Sequence, residues 1–263
     1  MKKTLIALAV AASAAVSGIA MAGSWDASGS GGSVNLGGTL TVVQKSTPWE
    51  VKVGDAVTGL DAQIQKGQSN VNIILSKSIP VLGIRVADSV NKTFVGGTGL
   101  SPQINYSKTI NTDNFNGGTV PLKMAVRDVN NQIIGSMTVD LTAYGESSWS
   151  AGNAGPGKKQ LFASSAGSAF FGGLGKNNNA VSSSGLYERV VAIDNSFVAN
   201  YKKQGSSGWS GEEKFDETSA QYSAFYGSGF EAGKVLSISL NEAAAGDEHI
   251  EWKAALPIIV SYQ

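Results

Sequence analysis

Apolar and polar residues alternate with a period near two along most of this chain, which is the spacing of side chains on one face of a β-strand. Turn residues separate the alternating runs, and Asn116–Gly118 and Val129–Asn131 are typical turns. The pattern predicts an all-β meander or Greek-key sandwich. Its expected strands are 39–43, 49–53, 71–75, 81–86, 103–106, 122–127, 133–141, 222–226 and 235–240.

A short alternating strand is predicted near the start of the chain, behind the small polar residues 23–32. Val34, Leu36 and Leu40 share its apolar face, and Gly38 occupies the position on that face between Leu36 and Leu40. Because Gly38 has no side chain, it leaves a notch into which another backbone or a bulky ring fits closely.

A second alternating strand ends the chain. Leu256, Ile258, Val260 and Tyr262 form its apolar face, just before Gln263. A sheet that lacks one strand exposes unpaired backbone groups beside an apolar groove, so two terminal strands suit strand exchange between subunits. Both could equally be ordinary strands of a self-contained sandwich, and the pattern alone leaves these alternatives open.

The middle of the chain, about 145–211, has a different texture and is the best candidate for an insertion. Gly, Ser and Asn are abundant around 152–157 and 176–185. Between them, apolar residues recur at spacings of three and four, which predicts a helix. They are Leu186, Val190, Ile193, Phe197 and Tyr201.

The first 22 residues are typical of a secretory signal peptide: Lys2 and Lys3 precede an apolar stretch that ends at the small-residue site Ala20–Ala22. We therefore expect three parts, a signal over 1–22, an extension with the first alternating strand over 23–41, and a β domain over 42–263 with the insertion at about 145–211.

Composition argues against several function classes. With 20 basic and 20 acidic residues the formal net charge is zero, so nothing attracts nucleic acid. There is no cysteine and only one histidine, His249, which disfavours thiolate chemistry and metal sites. Asp247, Glu248 and Glu251 flank that histidine in a segment typical of an exposed turn. We expect no catalytic residues, no metal and no cofactor, and hence not an enzyme.

Two further alternatives come from the same features. Trp149, Tyr187, Tyr201 and Trp209 lie in or beside the 145–211 region, where an exposed ring could stack on a sugar, but the sequence assigns none of them to ligand binding. An outer-membrane β-barrel also alternates, but barrels show regular segments of about ten residues with aromatic girdles. The predicted helix and the irregular strand spacing count against that class.

Several stretches resemble FaeG-type fimbrial major subunits, in the expected order along the chain. Besides the signal, they are Gly32-Ser-Val-Asn-Leu-Gly-Gly-Thr, Trp49-Glu-Val-Lys-Val-Gly54, Pro80-Val-Leu-Gly-Ile-Arg85, Phe170-Phe-Gly-Gly-Leu174, Tyr226-Gly-Ser-Gly-Phe230 and Trp252-Lys-Ala-Ala-Leu-Pro257. The similarity fades over 145–211, which leaves the ligand of the family open for this chain.

The resemblance implies an incomplete immunoglobulin-like β-sandwich with an inserted subdomain containing short helices. It implies export to the cell surface by a periplasmic chaperone and an outer-membrane usher, head-to-tail polymerisation of identical subunits, and binding of a host glycoconjugate receptor. Val34, Leu36, Gly38 and Leu40 would be donor-strand residues. Leu256, Ile258, Val260, Tyr262 and Gln263 would form the terminal strand that the chaperone holds. A minor or tip subunit, or a self-contained secreted carbohydrate-binding sandwich, are the alternatives.

Overall fold

Twelve strands and one α-helix make up the part of the chain that the computed structural model describes, which is residues 36–39, 47–151, 155–246 and 249–263. The strands are β1 (Trp49–Val53), β2 (Asn70–Ile74), β3 (Ile79–Val86), β4 (Phe94–Val95), β5 (Pro102–Asn105), β6 (Thr119–Arg127), β7 (Ile133–Ala151), β8 (Gly155–Leu161), β9 (Ser207–Gly211), β10 (Ala220–Phe230), β11 (Val235–Leu240) and β12 (Ile259–Tyr262). The helix α1 spans Leu186–Ile193, and short 3-10 helices span Thr112–Asn114, Asn178–Val181 and Asn195–Val198.

Ten of the strands form one sheet with the order β1-β3-β10-β7-β11-β2, and β4, β6, β8 and β9 pair at its sides. Strand β7 links two halves of this sheet. Its residues 142–151 pair antiparallel with β10, while its residues 135–138 pair with β11. Strands β5 and β12 form a separate antiparallel sheet. The apolar faces of both sheets pack into one core, so the fold is an all-β sandwich.

Alternation produces this core directly. Along β6 the residues Val120, Leu122, Met124 and Val126 are buried, while the residues between them face outward. The turn before β6 forms where the sequence predicts it. Gly117 and Gly118 both adopt positive φ between the bridged residues Asn116 and Thr119. The predicted turn there is confirmed.

A second hydrophobic cluster lies on the outer face of β7 and β10. Leu186, Val190, Ile193, Phe197 and Tyr201 are all buried and pack there, as their spacing predicted. The expected continuous helix is wrong in one respect, because Asp194 is extended and separates α1 from the 3-10 helix Asn195–Val198. The Asp194 side chain accepts a hydrogen bond from the backbone N–H of Ser196, and this cap competes with helix continuation.

Two paired glycines let this helical segment approach the sheet. Gly83 on β3 lies opposite Gly227 on β10, and a Cβ atom at Gly83 would collide with the ring of Phe197. A Cβ atom at Gly227 would collide with Val190. Both glycines belong to stretches that carried the family resemblance, and close packing explains why those stretches contain glycine.

Strand β7 enters the predicted insertion without a break. The sequence predicted a strand ending at residue 141, but β7 continues to Ala151 and pairs with β8 over residues 146–151. The alternation of apolar and polar residues did not predict this extension, because Glu146, Ser147 and Ser148 are polar and nevertheless buried. The expected strand over 39–43 lies outside the described residues apart from Thr39, which belongs to no strand.

Candidate functional site

An open groove of about 1450 Å³ runs along the sandwich between two chain segments that are not paired with each other. Its apolar floor comes from the inward faces of β2, β6, β7 and β11, through Val71, Ile73, Met124, Met137, Leu236 and Ile238. We call this space the open groove, and we call residues 55–64 and 254–258 its first and second rims. Both rims line it.

The backbone groups of the first rim have no hydrogen-bond partner in the part of the chain that the structure describes. The Gly54 N–H donates to the Val81 carbonyl (3.0 Å), and the next backbone groups along the chain that have a partner belong to Gln65, whose carbonyl accepts from the Gln68 N–H (3.0 Å) and whose N–H donates to Gln68 Oε1 (3.2 Å). Between them, the backbone of 55–64 makes no hydrogen bond to another described residue. Sequence reasoning missed this rim, because Val57, Leu60 and Ile64 do not alternate with period two.

Among the described residues, the backbone of the second rim is hydrogen-bonded only just beyond its two ends. Lys253 exchanges two 2.9 Å backbone hydrogen bonds with Arg127, and β12 pairs with β5 from Ile259 onward. From 254 to 258 the backbone makes no hydrogen bond within the described parts of the chain. This explains why the predicted terminal strand is observed as a strand only from Ile259.

The predicted alternation of this segment is confirmed through its whole length. Leu256, Ile258, Val260 and Tyr262 are half-buried against the core, whereas the residues between them are exposed, Ile259 by 58%. Gln263 exchanges 3.0 Å backbone hydrogen bonds with Ser101 in both directions, and its side chain is exposed. The role of these five residues in chaperone binding stays a prediction.

The predicted donor segment is described only in part. Leu36 is 93% exposed, and a Cβ atom at Gly38 would meet nothing within 4 Å. Neither residue belongs to a strand. Val34 and Leu40 lie outside the described residues, and the donor role of all four residues stays a prediction.

Burial separates the four aromatic candidates of the 145–211 region. Tyr201 is buried, and its hydroxyl donates to the Glu146 carboxylate (2.7 Å). Tyr187 is half-buried against Phe225. Trp149 is half-buried as well, but Trp209 is 55% exposed. Only Trp209 of the four therefore offers a large accessible ring.

The buried Glu146 carboxylate has several polar partners in this region. It also accepts a 2.7 Å hydrogen bond from the Tyr144 hydroxyl and lies 3.2 Å from the Lys158 ammonium. Burial raises the pKa of Tyr144 and of Tyr201 far above its usual value, and the negative charge of Glu146 raises both further. These tyrosines therefore remain neutral donors, and the cluster is structural.

Metal chemistry finds no support in the described part of the chain, where no three metal-ligating side chains come together. Asp247 and Glu248 lie outside the described residues, and His249 is exposed. No helix among the described residues is long and apolar enough to cross a membrane.

Comparison with known proteins agrees with the resemblance seen in the sequence. The sequence model of a family described as "Fimbrial, major and minor subunit" matches residues 1–263. The F41 fimbrial protein of Escherichia coli is 30% identical over the full length of both chains. The K88 fimbrial proteins AB and AC of the same organism are 27% and 25% identical, again over both full lengths.

These relatives are fimbrial structural proteins, not enzymes, and such subunits polymerise into fimbriae at the cell surface. The predicted family and the expectation of a non-enzymatic protein are both confirmed. The chain therefore belongs to the family of fimbrial major and minor subunits that includes the K88 and F41 fimbrial proteins.

Proposed function

We propose that this subunit polymerises by donor-strand exchange, in which residues 23–41 of one subunit, called the leader here, fill the open groove of the next. The observation that carries this proposal is the pair of rims, whose backbone groups have no hydrogen-bond partner among the described residues along both sides of an apolar floor. An extended segment laid between the rims would hydrogen-bond to both and complete the sheet. The open groove also argues against a self-contained secreted sandwich.

The leader has the chemistry that the groove requires. Val34, Leu36 and Leu40 would point at the floor, and burying them contributes roughly 5 to 9 kcal/mol at about 1.5 to 3 kcal/mol per side chain. The notch at Gly38 accommodates a floor residue that rises higher than its neighbours. Because each subunit offers one donor and one groove, the contact is head-to-tail and extends into an open fibre.

A subunit with an unfilled groove needs protection before assembly. An apolar floor beside unpaired backbone is prone to aggregate, so a periplasmic chaperone covers the groove during export. The chaperone pairs with the terminal strand that contains Leu256, Ile258, Val260, Tyr262 and Gln263. An outer-membrane usher then exchanges the chaperone for the next leader.

The assembled fimbria attaches to host-cell glycoconjugates through the subunits themselves. The supporting observation is Trp209, an exposed indole in the region where resemblance to the family fades. The family covers both major and minor subunits, and repetition along a fibre favours the major subunit, since many weak contacts then act together. A minor or tip position is the alternative.

The donor assignment is tested with Leu36→Asp, which places a charge where an apolar side chain must be buried. We expect cells to accumulate chaperone-bound subunit but no fibres, as seen by electron microscopy and periplasmic fractionation. Asn35→Asp is the matched control, since the alternation of the segment would turn this side chain away from the floor, and it should form normal fibres. Normal fibres from Leu36→Asp would show that another segment fills the groove.

A further inference from the structure

Two turns at opposite ends of the sandwich each hold a valine out in solvent. Val90 lies between β3 and β4 and is 85% exposed, and Val129 lies between β6 and β7 and is 63% exposed. The turn with Val90 follows Ala87, whose N–H donates to the Pro48 carbonyl (2.8 Å) just before β1 begins. We call this the β1 end of the subunit, and we call the end with the β6–β7 turn its hairpin end.

Strand β7 separates the two ends. It begins at Ile133 beside the hairpin turn. Further along, Phe225 of β10 pairs with Glu146 of β7 on one side and with Arg85 of β3 on the other, close to the β1 end. The strand from Ile133 to Glu146 spans roughly 40 Å at about 3.3 Å per residue. The two exposed valines therefore cannot meet within one subunit.

An aspartate fixes the backbone of each turn. Asp88 Oδ1 accepts hydrogen bonds from the backbone N–H groups of Val90 (2.8 Å) and Asn91 (2.9 Å). In the other turn, Asp128 Oδ1 accepts from the backbone N–H of Gln132 (2.8 Å). Such side-chain bonds hold a turn in one conformation. Both valines are therefore presented on ordered turns, and a contact that used them would cost little ordering of the chain.

The geometry of an open fibre brings these two ends together. The leader of a subunit precedes β1, so its own body follows the leader at the β1 end. The open groove reaches the hairpin end, where its lining includes 249–253 and Lys253 pairs with Arg127. If the incoming leader brought its body to the acceptor's β1 end, both neighbours of a subunit would crowd at that end and the chain of subunits could not extend. A growing fibre therefore places the β1 end of one subunit at the hairpin end of the next.

We infer that the turn with Val90 packs against the hairpin turn of the neighbouring copy, with Val90 on Val129 and Ile133, an inference that rests on the proposed donor-strand exchange. Ile133 is 54% exposed and adds to the apolar surface of the hairpin end. Leu40 and Pro48 are eight residues apart, so the chain between donor strand and body reaches at most about 28 Å and keeps the two bodies close.

A second copy suits this surface better than an unrelated protein does. A free protein partner needs roughly 800 Å² on each side, which two small turns do not offer. A copy that is already tethered by its donor strand binds at a high effective concentration, so a contact of three apolar side chains is enough. The joint between subunits is then held at two points, the filled groove and the end contact, which restricts its rotation.

Cysteine cross-linking of purified fibres tests the contact, and the absence of native cysteine gives a clean background. One double variant combines Val90→Cys with Val129→Cys, and a second combines Val90→Cys with Ile133→Cys. A disulfide forms only where the two Cα atoms come within about 7 Å. After oxidation with copper–phenanthroline, at least one double variant should give a ladder of covalent multimers on non-reducing electrophoresis. The control combines Val90→Cys with Ile74→Cys, since Ile74 is 71% exposed but lies on β2 beside Val235, and it should stay monomeric.

The Leu36→Asp variant, measured in parallel, separates two failures. If Leu36→Asp forms no fibres and neither double variant gives a ladder, the end contact is wrong and donor-strand exchange stands. If Leu36→Asp forms normal fibres, the donor assignment falls and the end contact with it. Covalent dimers from Val90→Cys alone would mean that like ends meet, and a ladder from the control pair would mean that the fibre joins through β2. Either result overturns the end contact.

Discussion

The open groove and a cluster of aromatic rings belong to the same hydrophobic core, but the described chain fills the space only among the rings. The aromatic core, as we call the rings of Trp49, Phe94, Phe170, Phe215, Tyr222 and Tyr226, fills its space with edge-to-face and tilted contacts whose centroids lie 4.9 to 6.4 Å apart. The groove floor is equally apolar, but no described strand lies between its rims. The chain thus closes one region with its own residues, and in the proposed assembly a neighbouring subunit closes the other.

The largest effect is expected from a charge in the groove floor. Ile238, on β11, is 3% exposed and lines the groove. Ile238→Asp should abolish fibre formation, because a carboxylate cannot be buried there without a partner. Ser237→Asp is the control on the same strand, since Ser237 faces outward. Electron microscopy and pelleting of sheared fibres measure the outcome.

Mixing two defective subunits sharpens this test. Leu36→Asp keeps a groove and lacks a donor, whereas Ile238→Asp keeps a donor and lacks a groove. Together they should form a complex of two subunits that grows no further, visible by size-exclusion chromatography. Fibres in the mixture would mean that donor and groove do not act as a single head-to-tail contact.

A substitution in the aromatic core is expected to have a smaller effect, which lowers stability and leaves assembly unchanged. Phe215 is fully buried among Trp49, Phe94 and Tyr222. Phe215→Ala should lower the free energy of unfolding by about 3 to 5 kcal/mol, while subunits that fold still polymerise. Urea unfolding measures the loss, with Val129→Ala, at a 63% exposed position, as the control. Loss of polymerisation among folded Phe215→Ala subunits would contradict the separation of the two regions.

The smallest effect concerns alkaline pH. The buried Tyr106 hydroxyl lies 2.9 Å from that of Tyr226 and 2.8 Å from Ser228 Oγ, and burial raises the pKa of Tyr106 to about 12. Because this folded-state pKa exceeds the ordinary value of 10.0, the stability contributed by the neutral hydroxyl is complete below that value and is lost as pH rises through about 12.

Tyr106→Phe should therefore cost about 1 kcal/mol at neutral pH and make the alkaline loss of stability shallower. Urea midpoints measured from neutral pH to pH of about 11 test this. Equal slopes for the variant and the wild type would mean that the hydroxyl cluster does not couple the aromatic core to pH.

Alternation predicted most of the fold because most strands have one buried and one exposed face. Strand β1 has the predicted bounds, and β11 has them as well. Alternation did not predict strands in which polar residues are buried, as in the continuation of β7 through Glu146. It also missed the break at Asp194, since a side-chain cap does not change hydrophobic spacing.

The sequence predicted only one of the two rims of the open groove. The alternation that ends in Tyr262 marked the second rim, but the first rim has no period-two pattern, because its apolar residues Val57, Leu60 and Ile64 are three and four apart. Nor could the sequence choose Trp209 from four aromatic residues. That choice depends on exposure, which arises from the packing of β7, β8 and β9 and not from local pattern.

The most direct test of the central claim compares two forms of the subunit that both lack residues 1–22. One lacks residues 23–41, and the other lacks them at the start but carries a copy of them fused after Gln263. Size-exclusion chromatography and thermal unfolding are measured for both. We expect the truncated form to aggregate, and the fused form to be a monomer with a much higher Tm, because its own leader fills the open groove. A truncated form that is already a stable monomer would contradict the account, since the sandwich would then be complete without a donated strand.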